Sequence, residues 1–185
     1  SGCNLWSGRE ADRERAICQF CDTDFWGTDG VHGGKYTAAA LAATVNDVWH
    51  NAEFGPLASP CVVCTGGEPL LQLDPALIVS LHDTGFEIAI ETNGTIPVPK
   101  GIDWVCMSPK AGTDIVVRSG DEIKIIYPQY SIDPQDFISY EFTYYLIQPM
   151  DSPALEENTL AAIEYCNLHP QWQLSLQTHK LLSVP

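Results

Sequence analysis

The sequence predicts an α/β fold, a partial and open (β/α) barrel, on three observations. Six short apolar runs alternate with helical or turn-forming stretches. The runs are rich in Val and Ile, the pattern of parallel strands covered by crossover connections. Polar motifs follow five of the six runs directly, at the carboxyl ends where parallel sheets gather loops and ligands.

Each element has its own local reason. Thr37 is placed to cap a helix whose apolar positions Leu41, Val45, Val48 and Trp49 share one face, and Gly55-Pro56 ends it. A strand over residues 61–65 follows, then a helix over 75–83 capped by Asp74, and strands over 86–91 and 103–107. The Pro- and Gly-bearing link between Asn93 and Asp103 is too short for a full crossover helix. Next come a strand over 122–127, a short helical piece after Pro134, a strand over 143–148, a helix over 153–166 and a last strand over 171–177. These strands are expected to be buried on both faces.

The 185 residues suit one domain, residues 1–185, and the 45% hydrophobic content is that of a globular protein. With 24 acidic against 9 basic residues the net charge is -15, which repels a phosphate backbone and argues against nucleic acid as a ligand. No stretch approaches the roughly twenty apolar residues of a membrane span, and no charged-then-apolar leader opens the chain, so a cytoplasmic protein is expected.

Seven cysteines in such a chain point to metal ligands or small core residues more than to disulfides. Cys3, Cys18 and Cys21 lie in one stretch flanked by Gly, Asn and Asp. Three thiolates can hold a four-iron cluster by three corners, leaving one iron free to take a small molecule. Cys61 and Cys64 form a second C-x2-C, which keeps open a zinc-bound structural or interaction module shared with Cys18 and Cys21. Against it, residues three apart on a strand point to opposite faces. Cys106 and Cys166 read as core.

Gly66 and Gly67 let the backbone approach a ligand closely, and Glu68 is an acceptor suited to an ammonium group; a plain turn before a Pro-initiated helix is the simpler reading. Thr23 offers a hard oxygen of the kind Mg²⁺ takes singly, or with Asp22 caps a turn. His32, His50, His82 and His169 show no metal-ligand spacing and read as surface.

Ser1-Gly2-Cys3-Asn4-Leu5, Cys18-Gln19-Phe20-Cys21-Asp22-Thr23 and Gly66-Gly67-Glu68-Pro69 together resemble a radical S-adenosylmethionine (SAM) enzyme. Most of that superfamily spaces its cysteines C-x3-C-x2-C, whereas fourteen residues here separate Cys3 from Cys18. That enlarged cluster-binding loop, the Asp-Thr after the third cysteine and the ending Gln177-Thr178-His179-Lys180 resemble the 7-carboxy-7-deazaguanine synthase family of deazapurine (queuosine) biosynthesis.

The resemblance implies an open barrel of the radical SAM type with three cofactors: a [4Fe-4S] cluster on Cys3, Cys18 and Cys21, SAM, and Mg²⁺ at Thr23. It implies that Phe20, Gly66, Gly67, Glu68, Thr92, Asn93, Ser108, Lys110 and Gln148 hold SAM. Thr65, His179 and the carboxylate of Pro185 would contact substrate, a 6-carboxytetrahydropterin whose ring contracts to 7-carboxy-7-deazaguanine with loss of ammonia. A flavodoxin- or ferredoxin-type electron donor and a homodimer are further implications. So is a strand preceding Ser1 with a Gln-Gly-Glu motif, since the chain opens without Met on the cysteine stretch. A glycyl-radical activating enzyme is the rival within radical chemistry, and the long cysteine gap argues against it.

Overall fold

The computed structural model describes residues 2–52 and 58–183, so the expectations for Gly55-Pro56 and Pro185 lie outside the described residues. Six strands, β1 Cys61–Cys64, β2 Glu87–Thr92, β3 Trp104–Met107, β4 Ser119–Tyr127, β5 Glu141–Pro149 and β6 Trp172–Leu174, form one sheet in chain order. All five neighbouring pairs are parallel, and β1 does not pair with β6, so the barrel is partial and open.

Helices α1 Ala38–Asn51, α2 Pro75–Asp83 and α3 Leu155–Leu168 accompany the sheet, with a short α4 at Thr178–Leu182. The caps are those the residue types dictate. Thr37 Oγ1 accepts from the Ala40 N–H at 3.2 Å, and Asp74 Oδ1 from the Leu77 N–H at 2.8 Å ahead of Pro75. Each such cap is worth about 1 kcal/mol. No helix of the described residues is long and apolar enough to cross a membrane.

Alternation along the strands sorts their side chains into two faces. Ile88 and Ile90 of β2 turn outward against Ala42, Ile78 and Leu81 of α1 and α2. Met107, Ile123, Ile125 and Ile147 of β3, β4 and β5 gather with Phe137, Ala162 and Trp172. The five strand isoleucines have no exposed surface, and burying each stabilises by about 1.5–3 kcal/mol. As the short link from Asn93 to Asp103 required, no helix lies between β2 and β3.

Several expectations are corrected. The strands are not buried on both faces: register aligns Glu91, Cys106, Glu122 and Tyr144 across β2 to β5, which makes the inner wall polar. At β1 the expected buried strand is an edge. Val63 is 55% exposed because, among the described residues, β1 pairs with β2 alone. Val48 of α1 is likewise exposed. The last strand stops at Leu174, not at 177: the Ser175 N–H still donates to the Ile147 carbonyl at 2.8 Å, and beyond it the backbone leaves β5. The chain then turns into α4, so Thr178, His179 and Lys180 lie on a short helix.

Candidate active site

The enlarged cysteine loop closes on itself before it meets the barrel. The carbonyl of Leu5 accepts from the N–H groups of Ile17 and Cys18, at 3.0 and 3.4 Å, and so joins the two ends of the fourteen-residue excursion. Leu5, Trp6 and Phe25 are buried beneath it, Trp6 meeting Phe25 edge to face at 5.5 Å. Arg13 organises the excursion, a role that no motif announced. Its guanidinium lies 4.1 Å from the Trp6 ring centre, and its Nη1 donates to the carbonyls of Gln19 and Cys21 at 2.9 and 3.0 Å. A planar fork can stack and donate at once, which a lysine cannot do.

Two further connections fasten this loop to the barrel mouth. Glu68 N–H donates to the carbonyl of Gly2 at 2.8 Å, and a Cβ on Gly67 would stand 2.2 Å from the same oxygen, so only glycine fits there. Beside Cys3, Asn4 bonds Asn93 and Thr95 at the end of β2, its Oδ1 accepting from Asn93 Nδ2 at 2.9 Å and its Nδ2 donating to Thr95 Oγ1 at 2.8 Å. The expected alliance of the cysteine stretch with the Gly-Gly-Glu segment is thus built from backbone contact.

The three thiols lie in mutual electrostatic reach. The Leu5 N–H donates to Cys3 Sγ at 3.4 Å. Cys18 and Cys21 share a hydrogen bond that lowers Cys21 to about 6 and raises Cys18, while burial and the Cys3 charge add to the rise at Cys18. Lys110, whose ammonium donates to the backbone and hydroxyl oxygens of Ser108 at 2.7 and 2.8 Å, lies close enough for these thiols to sustain its charge; burial outweighs them and lowers its pKa. Among the described residues no three His, Cys, Asp or Glu side chains converge tightly enough to hold a single metal ion. An iron–sulfur group of net negative charge would find three thiolate ligands here, with the Lys110 ammonium nearby. Cys61 is exposed, and burial raises the half-buried Cys64 thiol with only Cys61 as an electrostatic thiol neighbour. Cys106 is buried and pushed up to about 12, and Cys166 packs against the core, as expected of both.

Glu68 is buried within the mouth. It is 1% exposed, and its carboxylate already accepts from Thr92 Oγ1 at 2.9 Å, the Leu70 N–H at 3.1 Å and the Asn93 N–H at 2.8 Å. These three bonds hold the Gly-Gly turn against the end of β2 and leave about one of the carboxylate's acceptor positions open. Thr92 and Asn93, 2% and 7% exposed, belong to the same buried network. Gly66, with φ of +113° and its nearest foreign atom 3.9 Å from a built Cβ, leaves open space at the mouth.

The other expected residues come from several elements. Phe20 and Gln148 are half-buried, while Thr23, Thr65 and His179 are exposed. The Thr23 hydroxyl has no hydrogen-bond partner among the described residues. Thr65 Oγ1 donates to Glu91 Oε2 at 3.4 Å, and Glu91 Oε1 receives Lys124 Nζ at 2.7 Å. Burial opposes the charge on Lys124, but Cys106 and Glu91 outweigh it and raise its pKa. Lys124 was not foreseen; it sits two residues from Glu122, whose inward face was legible only once β4 was in register with β3.

An open parallel barrel that brings three thiols, a glycine turn and polar strand ends to one mouth defines an enzyme of the β/α-barrel class. The sequence is 54% identical over 186 residues to the 7-carboxy-7-deazaguanine synthase of Burkholderia multivorans, spanning all of this chain and 87% of that protein. The synthases of Caulobacter vibrioides and Bradyrhizobium diazoefficiens are each 55% identical over the whole chain, which spans 87% and 86% of them. The chain belongs to the 7-carboxy-7-deazaguanine synthase family. Among solved structures, the crystal structure of QueE from Escherichia coli superposes with a TM-score of 0.59 at 25% identity, over 77% of this chain and 64% of that one. No protein-family model matches the chain.

Proposed function

We propose that this protein catalyses the SAM- and Mg²⁺-dependent radical ring contraction of 6-carboxy-5,6,7,8-tetrahydropterin to 7-carboxy-7-deazaguanine, with loss of ammonia. The observation that carries this reading is the identity of 54 to 55%, across the whole chain, to proteins named for that product. Cys3, Cys18 and Cys21 would hold a [4Fe-4S] cluster, which supplies the electron that opens SAM to a hydrogen-abstracting radical. The chain's own residues bind, orient and shield, which is the protein's share of cofactor chemistry. Leu5, Trp6 and Phe25 keep water from the thiols, and Phe20 stands beside the adenine.

Gly66 and Gly67 admit the methionyl part of SAM close to the backbone, supported from beneath by Glu68, Thr92 and Asn93. Ser108, Lys110 and Gln148 complete that side. Thr23 would offer its hydroxyl to Mg²⁺, and Thr65 and His179 would face the pterin. The Glu91–Lys124 pair lines the same mouth as fixed charge of both signs. A flavodoxin- or ferredoxin-type protein would deliver the electron, in the cytoplasm, to a homodimer.

The test is anaerobic reconstitution with iron and sulfide, followed by dithionite, SAM, Mg²⁺ and 6-carboxytetrahydropterin, with the product identified by mass spectrometry. Formation of 7-carboxy-7-deazaguanine is expected. Cleavage of SAM without that product would overturn the substrate, and zinc in place of iron and acid-labile sulfide would overturn the chemistry.

A further inference from the structure

The carboxylate next to the third cysteine is held from the far end of the chain. Asp22 Oδ2 accepts from Gln177 Nε2 at 2.7 Å and from Lys180 Nζ at 2.5 Å. The same Lys180 ammonium also contacts Asp151 Oδ2, in the turn that follows β5. One ammonium therefore ties together three segments, of which the outer two lie 158 residues apart.

Exposed ion pairs usually contribute little, because they are well solvated and cost side-chain freedom. This one differs in what else holds the segment. Helix α4 buries no side chain, and Leu181 and Leu182 are 68% and 71% exposed. The Ser175 N–H to Ile147 carbonyl bond, 2.8 Å, is the last backbone bond to the sheet; those of residues 178–183 are local to the segment. Among the described residues, the Asp22, Gln177, Lys180 and Asp151 contacts are thus the tether of α4 to the mouth. Each of the three charged side chains remains about one-third exposed, so none of them is locked in place by burial.

We propose that Lys180 is a positioning residue: a latch that, by clamping Asp22 and Asp151, sets the adjoining Thr23 hydroxyl and His179 over one cavity mouth. The docking of α4 stands by itself, and the effect on a metal at Thr23 rests on the synthase reading above. The latch touches no reacting atom. Its consequence is that the divalent-ion site is only half formed until the carboxy-terminal helix is seated.

The test uses the reconstituted full chain as wild type, Lys180→Ala, Lys180→Arg and Asp151→Asn, the last a mild change distant from the cysteines in sequence. Amide hydrogen exchange of residues 176–183 and 19–24 is expected to accelerate about tenfold in Lys180→Ala, as for a segment whose opening becomes easier. Asp151→Asn should give an intermediate rise and Lys180→Arg restore most of the protection. Mn²⁺ binding, followed by its EPR signal with SAM and the carboxytetrahydropterin present and the cluster oxidised, should weaken by about tenfold in Lys180→Ala. Iron content should stay at the wild-type value.

Unchanged exchange in Lys180→Ala overturns the latch, whatever the activity. Faster exchange with unchanged Mn²⁺ affinity overturns the positioning role and leaves a merely structural tie. Product formation by the wild type, read in parallel, reports separately on the synthase reading.

Discussion

Replacing Gly67 by alanine tests the joint between the two motifs. The new Cβ would lie 2.2 Å from the Gly2 oxygen, 2.6 Å from the Gly2 carbonyl carbon and 3.0 Å from Cys3 Cβ, whereas ordinary contact begins at 3.4 Å. The Gly2 and Cys3 backbone must retreat by about 1.2 Å to make room. That retreat breaks the 2.8 Å bond from Glu68 N–H to the Gly2 oxygen, a loss of about 0.5–1.5 kcal/mol. Crowding of a packed site adds about 1–3 kcal/mol.

Together these give roughly 2–4 kcal/mol, a Tm lower by roughly 4–16 °C for a chain of this size. More specifically, Cys3 is displaced from the other two thiols. Gly67→Ala should therefore bind far less iron and sulfide than wild type after anaerobic reconstitution, measured chemically and by the charge-transfer absorbance. Gly66→Ala is the control: its positive φ costs about 1–2 kcal/mol, but no clash reaches the cysteine loop, so its iron content should be retained. Wild-type iron content and Tm in Gly67→Ala would refute the claim that this backbone contact holds Cys3.

Glu68→Gln puts an amide N–H₂ where an oxygen now accepts, so at least one buried donor loses its partner and denaturant-measured stability should fall by about 2–4 kcal/mol; a change under 0.5 kcal/mol would mean that the buried network is not what steadies the turn. Arg13→Ala removes both the stacking on Trp6 and two carbonyl contacts, and iron release to a chelator should speed up by about fivefold, with Arg13→Lys recovering little of it. The Asp103 carboxyl is held below its ordinary range first by the Ile88 N–H at 2.8 Å and then by His82. Its folded pKa is depressed, so its stabilising contribution is present above the unfolded value of about 3.9 and is lost as pH falls through the lower folded one. Wild type should therefore exceed Asp103→Asn in stability at neutral pH and converge on it in acid; parallel pH profiles would count against this assignment.

Local signals in the sequence carried much of the architecture. Thr37 and Asp74 start their helices where hydroxyl and carboxylate caps with a following Pro require, and six apolar runs became six strands. Strand β4 begins at Ser119, before the apolar run, because its early residues pair with Glu141 and Phe142 through the backbone, which side-chain pattern does not report. The three thiols and the Gly-Gly-Glu turn were legible because each is a compact stretch of sequence. What stayed hidden depends on distance along the chain. Lys124 meets Glu91 from 33 residues away, and Lys180 meets Asp22 from 158. Arg13 looked like one charge among several in a surface excursion until its fork was seen on Trp6. The internal bonds that Glu68 accepts could not be read either, since an acidic residue in a glycine turn has the same letters whether or not the end of a neighbouring strand lies against it.

The anchoring of Asn4 on Asn93 and Thr95, and of Gly2 on Glu68, has a bearing on how the protein matures. A nascent chain that has displayed all three of its early thiols still lacks the surface on which they are arranged, because that surface is the end of a strand made about seventy residues after the third. Iron delivered before then would meet a loose, oxidisable segment. Assembly of the proposed cluster would thus have to wait for the sheet. A cluster bound by the folded loop and not by the unfolded chain would make the loaded protein resist unfolding more than the empty one.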